Sequence, residues 1–220
     1  MDASAGHHMP ADKNLKQRAD RVLIEVFRSL FEEIDIRKLR REVAAIQRDN
    51  PDWEPRAHAR ALSRRTALRC AATGAVTGLP SGMLAVATLG ADLAYLVYQQ
   101  FRLILGIATI YGEEPTGSER FAEALACIAY GSGVGLGKQG MSAILETAHT
   151  QGALLADRIG SRIFAERLGR IVPVVGALSG GAVNFFVIRA ISRATIRYYE
   201  SRVDPLLADE IWNEGDREHA

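Results

Sequence analysis

The chain has 220 residues, of which 48% are hydrophobic, and its 27 basic and 26 acidic side chains nearly cancel to a net charge of +1. This length and composition are typical of one sizeable domain with a hydrophobic core. The charge balance argues against a dedicated nucleic-acid binder, which needs a strongly positive field. Cys70 and Cys127 lie in apolar stretches without CxxC spacing, so we expect buried free thiols in a reducing cytoplasm.

The first part of the chain predicts a short leader followed by helices. Residues 1–12 are small and polar, and we expect them to be disordered and to lack a secretory signal. From Leu15 onward, apolar residues spaced by three and four predict an amphipathic helix. Asp35 is the expected N-cap of the next helix, which ends before Pro51. Pro55 suits the first position of the helix after that.

The middle of the chain changes in character, because no charged side chain occurs from Cys70 to Ala91. The segment 78–82, with two glycines around a proline, predicts a corner between two helices, the second running from Met83 to Tyr111. Another helix is predicted to begin at Ser118.

A second apolar block lies between Arg170 and Arg189 and continues into an arginine-rich helix. No stretch shows sustained alternation, so strands are not predicted. The sequence therefore predicts an all-α fold over residues 13–204, followed by a polar tail over 205–220. We expect a single multi-helix bundle whose Ala/Gly-rich core helices pack closely and bend at Pro80 and Pro173.

Glycines four residues apart recur in three apolar stretches of the sequence. On a helix this spacing puts both glycines on one face, where another backbone can approach closely. Since each glycine costs about 1 kcal/mol relative to alanine in a helix, we expect close packing or backbone bends at these positions. The pairs are Gly74 and Gly78, Gly131 and Gly135, and Gly176 and Gly180.

The two apolar blocks suit either a soluble core or contact with a bilayer. Neither is a simple membrane span, because the first contains Pro80 and the second contains Pro173 and Asn184. Arginines flank both blocks and could face anionic head groups, although such runs are also common on soluble helices. They are Arg56, Arg60, Arg64 and Arg69 before the first block, and Arg189, Arg193, Arg197 and Arg202 after the second.

A stripe of polar residues follows one face of the helix predicted after residue 82. Asp92, Tyr95, Gln99 and Arg102 are spaced by three, four and three, so they share an arc of about 80°. Because burying them without partners is costly, we expect them to bond one another or the nearby Asn184 and Arg189. We predict one buried structural network that includes Asp92 and Arg102 and is closed by Asn184. A ligand-binding or catalytic role for the stripe is the alternative.

Motifs for catalysis or cofactor binding are weak. Glu146 and His149 form one Glu-x-x-His, whereas di-iron bundles use two together with further glutamates. The GxGxxG match that begins at Gly135 follows no predicted strand, and no GxSxG occurs. We therefore predict no catalytic residue, no metal site and no cofactor.

Two long segments of the sequence resemble the EcsC protein family. GLPSGMLAVATLGADLAYLVYQQFRLILGIATIYG (78–112) has a Gly-x-Pro turn, an Ala-Asp-Leu, a Gln and an Arg on one helix, and an Ile-Ala-x-x-Tyr-Gly end. RIVPVVGALSGGAVNFFVIRAISRATIRYY (170–199) has Val-Pro-Val-x-Gly, small residues, an Asn and a basic helix. The resemblance covers about residues 62–199. It implies a helical domain without an assigned activity and, since the family is named for a protein encoded beside an ABC transporter, a membrane-linked accessory role.

These observations favour a non-enzymatic, membrane-associated accessory factor. We expect it in the cytoplasm, peripheral to or dipping into the cytoplasmic membrane, with a membrane surface or a membrane protein as its partner and no nucleic acid. The alternative is a soluble helical domain that binds a lipid or another hydrophobic ligand in an apolar pocket near Asp92. An enzyme of unrecognised mechanism and a purely structural oligomer also remain open.

Overall fold

The computed structural model describes residues 25–77, 83–132 and 180–203, together with Val22. Every regular element in these ranges is an α-helix, and the six helices pack as a bundle, which confirms the predicted fold class. The predicted leader, the bends at Pro80 and Pro173 and the polar tail lie outside these ranges. The helices are α1 (25–32), α2 (Ile36–Asp49), α3 (Pro55–Thr77), α4 (Met83–Ile110), α5 (Ser118–Gly131) and α6 (Gly180–Val203).

Local signals in the sequence set the ends of α2 and α3. The Asp35 side chain accepts a hydrogen bond from the backbone N–H of Lys38 at 2.9 Å, as expected of an N-cap. This hydrogen bond lowers the pKa of the Asp35 carboxyl. α2 ends at Asp49, and α3 begins at Pro55. Proline has no backbone N–H, but at the first position of a helix this group would have no partner within the helix, so its absence costs no helical hydrogen bond.

α4 forms the centre of the described bundle and contacts α2, α3, α5 and α6. Phe101 is fully buried on this helix, and the rings of Phe27 and Phe31 pack edge-on against it. The segment Leu93–Ile110 is long and apolar enough to cross a bilayer by length and composition, but 61% of it is buried inside the protein. A core helix of a soluble protein has the same properties.

α3 and α6 form the most extensive helix–helix contact in the described part of the chain. Near the start of α3, Arg56 contacts Glu200 near the end of α6. Farther along α3, the backbone carbonyl of Cys70 accepts a hydrogen bond from Asn184 Nδ2 at 3.4 Å. The two helices therefore run antiparallel, and the first half of α3 lies beside the second half of α6.

Two glycines mark places where helices approach closely. A Cβ at Gly131 would lie 2.5 Å from the Cα of Ile191, so the end of α5 packs against the backbone of α6. A Cβ at Gly106 would instead meet side-chain atoms, the nearest being Leu62 Cδ2 at 2.6 Å. Gly131 was among the predicted packing glycines and Gly106 was not. Of the remaining predicted ones, Gly74 lies within α3 and Gly180 begins α6. Gly78, Gly135 and Gly176 lie outside the described residues.

Candidate functional site

A cleft of about 240 Å³ opens between α3 and α6, and five of the seven described residues that line it are arginines. The two series of arginines that the sequence places far apart are thus brought together by the antiparallel packing of these helices. We call this feature the arginine cleft. Its lining residues are Arg56, Arg60, Arg189, Ser192, Arg193, Ile196 and Arg197.

Helical spacing explains why these arginines share one cleft. On α6, Arg189, Arg193 and Arg197 are each four residues apart, so successive side chains rotate by only about 40° around the helix. Arg56 and Arg60 have the same spacing on α3. Arg64, one further step along α3, is exposed and does not line the cleft.

The charges of the cleft are incompletely paired. Arg56 Nε lies 3.4 Å from Glu200 Oε1, which also accepts a hydrogen bond from the Tyr111 hydroxyl at 3.1 Å. Arg60, Arg189 and Arg193 have no ion-pair partner among the residues described. Since guanidinium groups stay protonated at neutral pH, the cleft keeps a strong local positive charge although the whole chain carries only +1.

The inner wall of the cleft differs from its rim. Ser192 and Ile196 are buried, whereas Arg60 and Arg193 on the rim are exposed. The Ser192 hydroxyl makes no hydrogen bond to another described residue and can donate or accept one. Arginine forks pair bidentately with phosphate or carboxylate. The arrangement therefore suits the binding of an anion, and the described lining residues supply no carboxylate, thiol or imidazole for acid–base or nucleophilic chemistry.

One residue of the predicted polar stripe, Arg102, has a partner that the sequence analysis did not name. Arg102 is buried and forms an ion pair with Glu42 of α2. Glu42 also lies 3.0 Å from Arg69 Nη2. Burial alone would raise the pKa of Glu42, but the hydrogen bonds and charges of the two arginines outweigh it and lower that pKa. These three side chains join α2, α3 and α4, and Arg69 is thereby engaged within the fold.

In the described part of the chain, Asn184, Gln99 and Tyr95 each have separate surroundings. Asn184 donates a hydrogen bond to the Cys70 carbonyl, and the described contacts of Arg102 do not include Asn184. The predicted network also contains Asp92, so its closure by Asn184 stays a prediction. Gln99 is buried, and its Oε1 has no partner among the described atoms. Tyr95 is half-buried against the core. The side chain of Asp92 lies outside what the structure describes.

A second polar cluster, which the sequence analysis missed, surrounds the buried carboxylate of Glu123 on α5. Its Oε1 accepts hydrogen bonds from Arg202 Nη1 at 3.0 Å and from the Tyr198 hydroxyl at 3.1 Å. Its Oε2 pairs with Arg120 and lies 3.4 Å from the Tyr199 hydroxyl. Every oxygen of this carboxylate is therefore satisfied by residues that tie α5 to α6.

The loop between α4 and α5 is anchored to the same cluster. Glu113 Oε2 lies 2.7 Å from Arg120 Nη2, and its Oε1 lies 3.4 Å from Arg202 Nη2. Burial would lower the pKa of Arg120, but the carboxylates of Glu123 and Glu113 outweigh it and raise that pKa. Two carboxylates thus balance two guanidinium groups. The cluster holds the fold together, whereas the arginine cleft has charge left to bind a ligand.

The cysteines are poor candidates for catalytic nucleophiles. Both are free and buried. Burial raises the pKa of Cys70 to about 11 and that of Cys127 to about 12. The reactive form of a cysteine is the thiolate, so both side chains stay protonated and unreactive at neutral pH. Within the described ranges, no group of three or more histidine, cysteine or acidic side chains could hold a metal ion.

Comparison with known proteins identifies the family of this chain. The model of the EcsC protein family matches residues 32–203, from the end of α1 through α6. The match includes both helices of the arginine cleft and both helices of the Glu123 cluster. No curated protein and no solved structure matches the chain. Because the matched region is most of the sequence, the chain belongs to the EcsC protein family.

Proposed function

We propose that this protein is a non-enzymatic accessory factor that docks on an anionic membrane surface through its arginine cleft. One observation carries the proposal: five arginines from two helices converge on one cleft, and Arg60, Arg189 and Arg193 have no ion-pair partner among the described residues. Each basic residue near an anionic membrane surface contributes about 1 kcal/mol of binding free energy. Several such residues on one face are sufficient for reversible attachment.

An exposed aromatic side chain beside the cleft, with a further exposed apolar side chain at the same level of the helix pair, favours a membrane over a soluble anion. Phe186 is 68% exposed and lies three residues before Arg189 and seven before Arg193, on the same face of α6. Leu68 of α3 is 53% exposed. Since Cys70 contacts Asn184, the antiparallel packing places Leu68 and Phe186 at the same level of the helix pair.

A face that combines arginines with an exposed aromatic side chain suits the boundary between head groups and acyl chains. The arginines would contact phosphates while Phe186 enters the apolar layer. The family resemblance adds a link to membrane transport, and we propose a membrane transporter as the setting in which this attachment operates.

Flotation of the purified protein with lipid vesicles tests this function. We expect binding to phosphatidylglycerol–phosphatidylcholine vesicles that weakens with salt, because salt screens exposed charges, and no binding to phosphatidylcholine alone. The variant R189Q/R193Q removes two charges from the cleft and should lose most of the binding. The matched control R41Q/R65Q removes two charges from exposed arginines of α2 and α3 that do not line the cleft.

The control should bind like the wild type. Two results would contradict the proposed function: absence of flotation with anionic vesicles at low salt, or an equal loss of binding in the two double variants. The second result would mean that the overall charge of the protein, rather than the cleft, attracts it to the vesicles.

A further inference from the structure

We infer that the arginine cleft selects a terminal phosphate, that is, a phosphomonoester head group, over the phosphodiester groups of ordinary phospholipids. This inference rests on the proposed function, because it names the lipid chemistry that the same cleft recognises. The observation behind this inference is the number and position of hydrogen-bond donors in the cleft that have no partner among the described residues.

The donors of the cleft come from two helices and face one space. Arg60 contributes from α3, and Arg189 and Arg193 contribute from α6. None of the three is neutralised by a described carboxylate. Each guanidinium presents parallel N–H groups that match two oxygens of a phosphate. A ligand that accepts hydrogen bonds from the paired N–H groups of all three guanidinium groups at once therefore needs three accessible oxygens.

A phosphomonoester meets this requirement and a phosphodiester does not. A monoester has three terminal oxygens and carries a charge of about −1.5 to −2 at pH 7. A diester has two non-bridging oxygens and one negative charge. The larger negative charge of the monoester also matches the cleft better. Glu200 pairs with Arg56, but Arg60, Arg189 and Arg193 have no ion-pair partner among the described residues.

The inner wall of the cleft supplies a further contact. Ser192 lines the cleft from α6, one turn from both Arg189 and Ile196. Its hydroxyl makes no hydrogen bond to a described residue. It can therefore donate to a phosphate oxygen that has passed the arginines of the rim. A terminal phosphate can extend into the cleft in this way. A phosphodiester carries a second ester substituent, which would have to enter the cleft ahead of the phosphate.

Vesicles of matched charge test the selection. One set contains phosphatidic acid and the other phosphatidylglycerol, both in phosphatidylcholine, with mole fractions adjusted to give equal surface potential. We expect the wild type to bind phosphatidic acid about five- to tenfold more tightly. S192A should reduce this preference, R189Q/R193Q should abolish it, and R41Q/R65Q should keep it. Circular dichroism of each variant checks that the fold is retained.

A calorimetric titration with glycerol 3-phosphate separates a lipid head group from a free phosphate compound. Equal binding to the two vesicle types would overturn the selection and leave membrane docking in place. Binding of glycerol 3-phosphate without binding to either vesicle would support phosphomonoester recognition and refute membrane docking. A preference for phosphatidic acid that survives in R189Q/R193Q would refute the assignment of this selection to the arginine cleft.

Discussion

Arg56 at the start of α3 and Glu200 near the end of α6 face each other with 3.4 Å between Arg56 Nε and Glu200 Oε1. The same oxygen of Glu200 accepts a hydrogen bond from the Tyr111 hydroxyl, so one carboxylate on α6 contacts both α3 and the end of α4. Glu200 thus has two effects. It stabilises the helix packing, and it neutralises part of the positive charge of the arginine cleft.

Replacing Glu200 with glutamine should strengthen the binding of anions. The variant removes a negative charge beside the cleft, while the glutamine carbonyl can still accept the Tyr111 hydroxyl. We expect affinity for anionic vesicles to rise by about three- to tenfold, as one additional unpaired charge near the surface allows. Vesicle titrations at low salt measure this change.

Glu32→Gln is the matched control for this variant, because Glu32 is exposed on α1 and the charge change is identical. If both variants gain affinity equally, net charge explains the effect and Glu200 has no particular relation to the cleft.

Replacing Glu123 with glutamine should destabilise the fold strongly. The carboxylate is 1% exposed and pairs with Arg120 and Arg202. A neutral amide would leave these guanidinium groups without enough negative charge in a buried place. Breaking a buried ion pair on one side costs about 3 to 5 kcal/mol. Urea denaturation should show that Glu123→Gln loses this amount of the free energy of unfolding. The exposed control Glu32→Gln should lose almost none. A midpoint equal to that of the wild type would show that solvent reaches the cluster.

The sequence predicted helices better than it predicted contacts between them. Asp35 and Pro55 are local signals that act within one turn, so the starts of α2 and α3 could be predicted. The partners of Glu123 could not, since Arg202 lies 79 residues away. Helical periodicity shows which face of a helix is apolar, but not which helix covers that face.

The candidate site shows the same limit. Both series of arginines were visible in the sequence, but their convergence depends on the antiparallel packing of α3 and α6. Nothing in the sequence indicated that Arg102 pairs with Glu42. Glu42 lies 60 residues before Arg102, on an amphipathic helix where a glutamate usually faces solvent. Only the packing of α2 on α4 identifies it as a partner.

Glu42 should make the stability of the protein sensitive to acid. Its pKa is lowered in the folded state below the ordinary value of 4.5, because Arg102 and Arg69 outweigh the effect of burial. A group with a lowered pKa stabilises the fold above its unfolded pKa and loses that contribution as the pH falls through its folded pKa.

The variant Glu42→Gln isolates this contribution, because its amide does not titrate. At pH 7 we expect the wild type to be more stable by about 1 to 3 kcal/mol. The difference should shrink as the pH falls below 4.5. Urea denaturation from pH 7 to pH 3 measures it, and a difference that stays constant over this range would contradict the ion pair.

Replacing Gly131 with alanine should separate α5 from α6. The new Cβ would lie 2.5 Å from the Cα and 3.0 Å from the backbone nitrogen of Ile191, and a helix backbone cannot move aside without shifting the whole helix. Overpacking of this kind costs about 1 to 3 kcal/mol, which should exceed the gain of about 1 kcal/mol in helix propensity.

Gly106→Ala is the control, because its Cβ would meet the flexible end of Leu62 at 2.6 Å, and the leucine can change rotamer. Thermal denaturation should therefore show a larger drop in Tm for Gly131→Ala than for Gly106→Ala. Equal drops, or a more stable Gly131→Ala protein, would mean that the two helices do not approach as closely as this geometry requires.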